Sequence, residues 1–293
     1  MSDSDLISKH QIAELLPPRQ EPIHVGPDVT IQQALDTLNS HNIHYLPVIE
    51  LDTVKGTISK FYGSVSSVEI AAFIASQVKS NDQIDATSLN QILSSEKISE
   101  VIAYFKSDIL LPMSSNLPLK LGVQALCNIA HLLPVTTQGV LTGVLSQTDV
   151  LNAVAKNIEG FLPSKTGKTL SELGLVKGIE NIKKFHEDNK VSEILATFHD
   201  QKVSAVAIVD SSDKLIANFS ASDVKILSQD LSKLFGSVGS FTNLNQLQVV
   251  TATPQSTINE VIETLADKKL HRVWVVDEQY RPVGVISLSN IMK

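Results

Sequence analysis

The chain has 293 residues, of which 43% are hydrophobic, and it carries a formal net charge of −7. A chain of this length can bury more than one small core, so several structural units are expected. The acidic balance argues against a surface that coats nucleic acid, which needs clustered basic residues. One cysteine, Cys127, excludes an internal disulfide framework and a cysteine-rich zinc site.

The first residues, MSDSDLISKH, contain neither the basic nor the apolar part of a signal peptide. No apolar run is long enough to span a bilayer, so we expect no membrane association. We therefore predict a soluble protein of the cytoplasm, with the nucleus as an additional compartment. Residues 1–21 are predicted to be an N-terminal extension, in which residues 7–16 form an amphipathic piece that either docks as a helix or stays mobile.

The next elements are indicated by hydrophobic spacing and turn residues. Residues 31–38 and 68–78 are predicted helices, and two strands lie between them, joined by a stretched turn over residues 51–60. Residues 117–129 form an apolar predicted helix, in which Cys127 is expected to be a buried, unreactive thiol. Another helix is expected to begin at Asp149.

An internal repeat organises these elements, because one pattern of strand, turn, strand and helix start occurs four times. The first strand follows His44, His131, Ser204 and His271, and the second strand and helix entrance follow Gly63, Gly143, Ala217 and Gly284. A repeat of this kind determines the architecture before any single residue does. Trp274 and Phe219 fall inside apolar strands, so core packing is favoured over base stacking.

Two glycine-containing segments are predicted linkers between the repeats. Residues 157–167 contain Gly160, Pro163 and Gly167, and they place a division near Lys165 with two repeats on each side. Residues 236–245 are rich in Gly, Ser and Asn and separate the third repeat from the fourth. A unit of about 60 residues is marginal alone, which is a reason for repeats to pair and hide their open faces.

The repeated pattern resembles the CBS domain, a β-α-β-β-α unit, and four copies resemble the γ regulatory subunit of AMP-activated protein kinase and its relatives. The TLSELGL stretch from Thr169 and the His271-Arg272 pair are similar to segments of that family. The resemblance implies an α+β fold with four CBS repeats, paired into two Bateman modules that form a flat disc. The implied boundaries are 22–80, 81–160, 161–235 and 236–293.

A Ser-x-x-acid element stands at each strand-to-helix junction and has two interpretations. The spacing favours a capping box, in which the serine accepts a helix N–H and the residue three positions later reaches back. The family resemblance instead implies that an aspartate here binds ribose hydroxyls and the preceding serine lies by the phosphates. Only Asp149 and Asp223 match that aspartate. The four elements are Ser66 with Glu69, Ser146 with Asp149, Ser220 with Asp223, and Ser287 with Asn290.

The resemblance also implies phosphate contacts from basic residues at the start of the first inner strand. His44, His131, His271 and Arg272 occupy these positions, whereas Tyr45 and Leu132 stand where the family often has a basic or small residue. One permanent cation and three imidazoles favour a monophosphate over a triphosphate. The small pair Ser204 and Ala205 would let a purine or ribose approach the backbone.

The sequence contains no recognisable catalytic motif: no phosphate-binding glycine loop, zinc-protease helix or nucleophile elbow occurs. We therefore expect a protein that is not an enzyme and holds no catalytic cofactor or metal. The resemblance implies AMP, ADP or ATP as a regulatory ligand, with kinase catalytic and β subunits as partners. The alternative is a stand-alone four-CBS interaction protein that regulates a phosphatase or stress response, with partly vestigial nucleotide sites.

Overall fold

A computed structural model describes residues 7, 9–16, 22–77, 86–105, 112–128, 130, 132–176, 182–201, 203–220, 223, 233–234, 236–241 and 249–292. Within these ranges the chain forms four β-hairpins, each preceded by an amphipathic helix. The α+β class and the four repeats predicted from the sequence are confirmed.

The first two repeats share the order strand, helix, hairpin, helix. In repeat 1 the leading strand is a single parallel bridge between Val25 and Val48. The remaining elements of repeat 1 are α1 (Ile31–Ser40), β1 (Tyr45–Leu51), β2 (Ile58–Ser66) and α2 (Ser67–Gln77). Two helices, α3 (Ala86–Ser95) and α4 (Ile98–Phe105), connect it to repeat 2. Repeat 2 contains β3 (Met113–Ser114), α5 (Leu119–Asn128), β4 (Leu132–Thr137), β5 (Val140–Ser146) and α6 (Gln147–Lys156).

The second half of the chain repeats this order. A short helix, α7 (Ile158–Phe161), follows repeat 2. Repeat 3 contains β6 (Lys184–His186), α8 (Val191–Asp200), β7 (Ala205–Val209) and β8 (Leu215–Ser220). Helix α9 (Val238–Phe241) precedes repeat 4, which contains β9 (Thr251–Ala252), α10 (Ile258–Asp267), β10 (Arg272–Val276), β11 (Pro282–Ser287) and α11 (Leu288–Met292). The predicted trailing helix of repeat 3 lies mostly outside the described residues.

The leading helices form where the sequence places a cap before an apolar stripe. In α10, Thr257 accepts a hydrogen bond from the Glu260 N–H while the Glu260 side chain accepts from the Thr257 N–H. This reciprocal box satisfies two amides that the first turn leaves without partners. The buried face of α10 has the spacing of one helix side and consists of Ile258, Val261, Ile262 and Leu265.

All four hairpins have the same register. In each of them the first residue of the inner strand lies opposite the serine that ends the outer strand, and a bulge follows three to four residues later. The opposed pairs are Tyr45 with Ser66, Leu132 with Ser146, Ala205 with Ser220, and Arg272 with Ser287. Because side chains alternate along a strand, an identical register gives every repeat the same buried and exposed faces.

The sheets of repeats 3 and 4 face each other, and those of repeats 1 and 2 meet at their rims. Trp274 is 3% exposed in an apolar layer with residues of β7 and β8, and its indole N–H donates to the Asn218 side chain at 2.9 Å. Between repeats 1 and 2 the Ile58 N–H donates to the Gly139 carbonyl at 3.1 Å. Between repeats 3 and 4 the Leu215 N–H makes the equivalent hydrogen bond to the Tyr280 carbonyl at 2.9 Å. These are the two predicted modules.

The helices pack across the modules. One hydrophobic core is shared by repeats 1 and 3, where α2 packs on α8. Another is shared by repeats 2 and 4, where α6 packs on α10 and α5 on α11. Each repeat therefore contacts one neighbour through its sheet side and another through its helices, and the order 1–2–4–3 closes a ring. The predicted disc of two modules is confirmed.

Four short segments, two in each module, connect the repeats of that module to each other. We call residues 11–15, 97–101, 169–173 and 237–241 the clips. Each clip forms an isolated antiparallel bridge just before a leading helix: the first on repeat 2, the second on repeat 1, the third on repeat 4 and the fourth on repeat 3. The buried clip residues donate to the backbone at 2.8–3.0 Å: Ile12 to Leu117, Ile98 to Val29, Leu170 to Ser256, and Val238 to Asn189.

The structure refines four expectations from the sequence. The amphipathic piece of the N-terminal extension docks on repeat 2, and its main element is a 3₁₀ turn, Ile12–Leu15. The predicted linker over residues 236–245 contains α9, which binds repeat 3. The linker over residues 157–167 contains α7, and Lys165 donates to the Ile291 carbonyl at 2.7 Å. Cys127 is only partly buried.

Removing the buried side chain of the first clip should destabilise the protein. Ile12 is fully buried against the helix that contains Gly122, so Ile12→Ala should lower the free energy of unfolding by about 2–5 kcal/mol. Leu121→Ala, at a position 44% exposed on the same helix, is the control and should change it by less than about 0.5 kcal/mol. Urea unfolding measures both; equal effects would contradict the docking of the clip.

Candidate functional site

In all four repeats the side chain three residues after the serine reaches back and accepts from it, and in repeats 1 and 2 the serine oxygen also accepts the helix N–H, which completes a capping box. In repeat 2 the Asp149 carboxylate accepts from the Ser146 N–H at 2.8 Å and from its hydroxyl at 2.6 Å. In repeat 3 Asp223 accepts from Ser220 at 2.6 and 2.7 Å. The capping interpretation of the spacing is confirmed.

Residues of different length and charge make the same cap in the other repeats. Glu69 accepts from the Ser66 N–H at 2.7 Å and from its hydroxyl at 2.8 Å. The Asn290 side-chain oxygen accepts from Ser287 at 3.0 and 2.7 Å. The cap therefore does not require an aspartate or a negative charge. In Asp149 and in Asp223 both hydrogen bonds from the serine go to the Oδ2 atom, so the other carboxylate oxygen is not used by these two bonds and can accept from a second partner.

Side chains from repeats 1, 3 and 4 meet at the centre of the ring. The His44 and His271 rings are in edge-to-face contact, with centroids 5.2 Å apart. Arg272 follows His271 and donates a hydrogen bond from Nη2 to the Ser204 hydroxyl at 2.9 Å. We call His44, Ser204, Asp223, His271 and Arg272 the central cluster. The common hairpin register explains why these side chains come together, because in every repeat the inner strand begins opposite a capping serine.

Arg272 is the fixed positive charge of the central cluster. Burial lowers its pKa to about 10, and the neighbouring Tyr45 and Asp223 oppose this change. Even so, the guanidinium stays protonated at neutral pH. Burial raises the pKa of Asp223, while hydrogen bonds from Ser220 and the charge of Arg272 hold it down. A partly buried arginine facing a carboxylate can bind an anion and a hydroxyl-bearing group side by side.

Repeat 1 contributes a neutral and an acidic side chain to this centre. Burial raises the pKa of the Tyr45 phenol well above its ordinary value; the charge of Glu69 adds to the rise and that of Arg272 opposes it. Burial also raises the pKa of Glu69, and its hydrogen bonds from Ser66 work in the opposite direction. Tyr45 therefore lies within electrostatic reach of Arg272, and Glu69 lies within reach of Tyr45.

The structure brings together part of the predicted site. The central cluster joins five predicted residues, and Ala205 and Ser220 lie opposite each other at the adjoining hairpin end. Asp149, Ser146 and Ser287 take part in their own capping boxes, and no recorded contact among the described residues links Asp149 to the central cluster. His131 lies outside the described residues. Phe219 and Trp274 are buried, so their prediction as core residues is confirmed.

Sequence reasoning did not assign a role to Tyr45 or Glu69 at the centre. Tyr45 is a departure from the family pattern in the sequence, and Glu69 is a capping residue that also departs from it. The sequence does indicate that the two residues are related, because both departures from the family pattern occur in repeat 1 and the hairpin register places Tyr45 opposite Ser66, the capping partner of Glu69. The clips were also missed as a repeat, although residues 11–15, 97–101 and 169–173 read QIAEL, KISEV and TLSEL.

The described part of the chain contains neither a candidate metal cluster nor a candidate membrane span. No group of three or more histidine, cysteine, aspartate or glutamate side chains there could hold a metal ion. No helix there is both long and apolar enough to cross a membrane.

Comparison with known proteins identifies the repeated unit. The model of the CBS domain family matches residues 12–61 and 243–293. These two stretches of the chain, one towards each end, therefore match the CBS domain. The first match begins at the first clip, so that segment is part of the matched unit although it packs on repeat 2.

The curated relatives fall into two groups. The chain is 25% identical to Protein SDS23 of Meyerozyma guilliermondii, over 92% of this chain and 57% of that protein. It is 23% identical to the SNF1-related protein kinase regulatory subunit gamma-like PV42a of Arabidopsis thaliana, over 92% of this chain and 90% of that protein. The bovine 5'-AMP-activated protein kinase subunit gamma-3 is 29% identical over 45% of this chain and 27% of its own length. The chain thus spans about half the length of the SDS23 relatives that it matches most fully.

A solved structure shows the same fold. Protein MJ1225 from Methanocaldococcus jannaschii, described as a candidate archaeal homolog of g-AMPK, superposes with a TM-score of 0.73 at 17% identity. The match covers 97% of this chain and 99% of that one. At this identity the match shows that the fold and its four-repeat arrangement are shared. The relatives named as kinase γ and γ-like subunits confirm the resemblance inferred from the sequence.

Replacing Glu69 should change how stability depends on pH. Its folded-state pKa is raised above the ordinary value of 4.5. Between pH 4.5 and the higher pKa of the folded state, the folded chain binds more protons than the unfolded chain, so the stability of the protein falls as pH rises. Glu69→Gln removes this loss, and its stability relative to wild type should increase as pH rises above about 4.5. Urea unfolding at several pH values measures the difference.

Glu172→Gln is the matched control for this prediction. Glu172 caps Thr169 in the same way at 2.8 and 3.0 Å, but it is exposed and its pKa is lowered by these hydrogen bonds. A lowered folded-state pKa contributes stability above the unfolded value and loses it in acid. Glu172→Gln should therefore show the opposite sign, a relative loss that grows with pH. The same sign for both variants would contradict the burial of Glu69.

Proposed function

We propose that this chain is a non-catalytic regulatory protein that binds an adenine nucleotide at the central cluster. The observation that carries the proposal is the convergence of His44, His271 and Arg272 with Ser204 and Asp223 from three different repeats. The three nitrogen-bearing side chains suit a phosphate group. Asp223 suits a pair of ribose hydroxyls, because a carboxylate offers only acceptors.

Binding at this centre would be coupled to the arrangement of the ring. Arg272 and Ser204 belong to one module and His44 to the other. A ligand that contacts all three is most stable when the modules hold one relative position, so it shifts the population toward that position. The rim of the ring would then present a different surface to a protein partner. The relatives named as kinase γ subunits support a kinase complex as the assembly in which this happens.

The second candidate function is a stand-alone interaction protein that regulates a phosphatase or a stress response. The observation that favours it is the departure of repeats 1 and 4, where Glu69 and Asn290 replace the aspartate. Similarity to SDS23 over 92% of the chain, together with the γ-like relative, is compatible with either assembly. Purification of the tagged chain from cells separates the two: kinase catalytic and β subunits support the first, and a phosphatase without them supports the second. A cytoplasmic or nuclear location stays a prediction.

Replacing Asp223 tests the ribose contact. Asp223→Ala should weaken AMP binding by about tenfold to a hundredfold, because hydrogen bonds to a charged group contribute roughly 1.5–3 kcal/mol. Loss of the cap alone should lower stability by about 1 kcal/mol without changing the dissociation constant. Asp223→Asn separates these effects, since Asn290 shows that an amide keeps the cap. Calorimetry should find AMP binding weakened in both variants; unchanged binding in both would remove the ribose role.

Replacing Arg272 tests the phosphate contact. Arg272→Gln should weaken AMP binding by about tenfold or more and leave adenosine binding within about twofold, because adenosine carries no charge for Arg272 to bind. Calorimetric titration with both ligands gives the comparison. Arg281→Gln, which removes an exposed arginine paired with Asp277 at 2.9 Å, is the control and should affect neither ligand. Equal losses for AMP and adenosine in Arg272→Gln would show that Arg272 supports the fold and not the phosphate.

A further inference from the structure

Repeat 3 has a serine where the other three repeats have a histidine. The residue just before the inner strand is His44 in repeat 1, His131 in repeat 2 and His271 in repeat 4, whereas it is Ser204 in repeat 3. This exception occurs where the Arg272 side chain crosses from repeat 4 to repeat 3. There the guanidinium donates a hydrogen bond from Nη2 to the Ser204 hydroxyl at 2.9 Å.

A hydroxyl suits this position because of its size and because it carries no charge. The serine oxygen accepts a hydrogen bond at every pH, whereas an imidazole that has taken up a proton can no longer accept and would repel Arg272. Arg272 is also withdrawn from water, because burial lowers its pKa to about 10. A buried donor without a partner is costly, so the bond to Ser204 stabilises the guanidinium in one place before a ligand arrives.

We infer that Ser204 is a positioning residue, which holds the Arg272 guanidinium in the orientation that receives the phosphate group of the nucleotide. This inference rests on the proposed function, because it concerns the side chain that binds the phosphate. Ser204 acts through Arg272 and not by contact with the ligand. A guanidinium has five N–H donors and the bond to Ser204 requires one of them, so the same side chain can also bind phosphate oxygens.

The expected benefit is that an ordered arginine loses less freedom when it binds. A long side chain that is mobile in the free protein gives up rotamer entropy on binding, which weakens the affinity by about threefold to tenfold. A side chain already fixed by a hydrogen bond has lost that freedom when the protein folds. Ser204 therefore raises the affinity for a phosphate without contributing to the affinity for an uncharged nucleoside.

A second hydrogen bond between the same two repeats supplies the control. The Trp274 indole N–H in repeat 4 donates to the Asn218 side chain in repeat 3, also at 2.9 Å. This bond crosses the same boundary without involving Arg272. Loss of either bond removes one connection between repeats 3 and 4, but loss of the Ser204 bond also releases the guanidinium.

The experiment is calorimetry with AMP and with adenosine on the full chain. Ser204→Ala should weaken AMP binding by about threefold to tenfold and leave adenosine binding within about twofold. Asn218→Ala should leave both affinities within about twofold. When Arg272→Gln is already present, adding Ser204→Ala should not weaken AMP binding further, because two residues that act through one contact are not additive. Urea unfolding of each variant checks that it is folded during the titration.

Three results would overturn the inference: wild-type AMP affinity in Ser204→Ala, equal losses for AMP and adenosine, or a further loss of AMP affinity when Ser204→Ala is added to Arg272→Gln. The last result would mean that Ser204 contacts the ligand directly. In each of these cases AMP binding that is weakened by Arg272→Gln still supports the proposed function. Wild type that binds no AMP would instead overturn the proposed function, and this inference with it.

Discussion

The register of the β-hairpins is the constraint on which the rest of the structure depends. In each repeat the first residue of the inner strand lies opposite the capping serine, as Arg272 lies opposite Ser287. A shift of one residue would move every side chain to the other face of the sheet. The layer that contains Trp274 and the position of Arg272 at the centre would then be lost together. Packing of the sheets and assembly of the site are therefore consequences of one pairing pattern.

The clips and the helix packing convert four marginal units into one ring. Each clip covers the start of a helix in the neighbouring repeat, so neither repeat of a module is complete without residues contributed by the other. The helix cores then join repeat 1 to repeat 3 and repeat 2 to repeat 4. Small α+β units of this length bury too little surface alone, and the ring supplies the missing contacts while bringing the inner strand ends together.

Much of this architecture could be predicted from the chain itself. The fourfold recurrence of a serine three residues before an acid or amide located every outer strand end and, in repeats 1, 2 and 4, the start of the following helix, because capping is a local interaction. The apolar runs around Trp274 and Phe219 located the buried strands. The spacing of the histidines identified equivalent positions in repeats 1 and 4. These features depend on neighbours in sequence, and the structure agrees with them.

The rest depends on contacts between distant residues, which local patterns do not encode. Nothing near residues 11–15 indicates that Ile12 binds a helix about one hundred residues later. The role of Tyr45 follows from its approach to Arg272 of another repeat, and the raised pKa of Glu69 follows from burial by the assembled ring. Asp149 and Asp223 look equivalent in sequence, yet only Asp223 is near the arginine.

A crystal structure of the protein with AMP tests the central claim most directly. We expect the phosphate oxygens within hydrogen-bond distance of the Arg272 guanidinium and the His271 ring, with the ribose hydroxyls on the Asp223 carboxylate. AMP bound with its phosphate remote from Arg272, or no bound AMP at concentrations that saturate the protein in solution, would contradict the account.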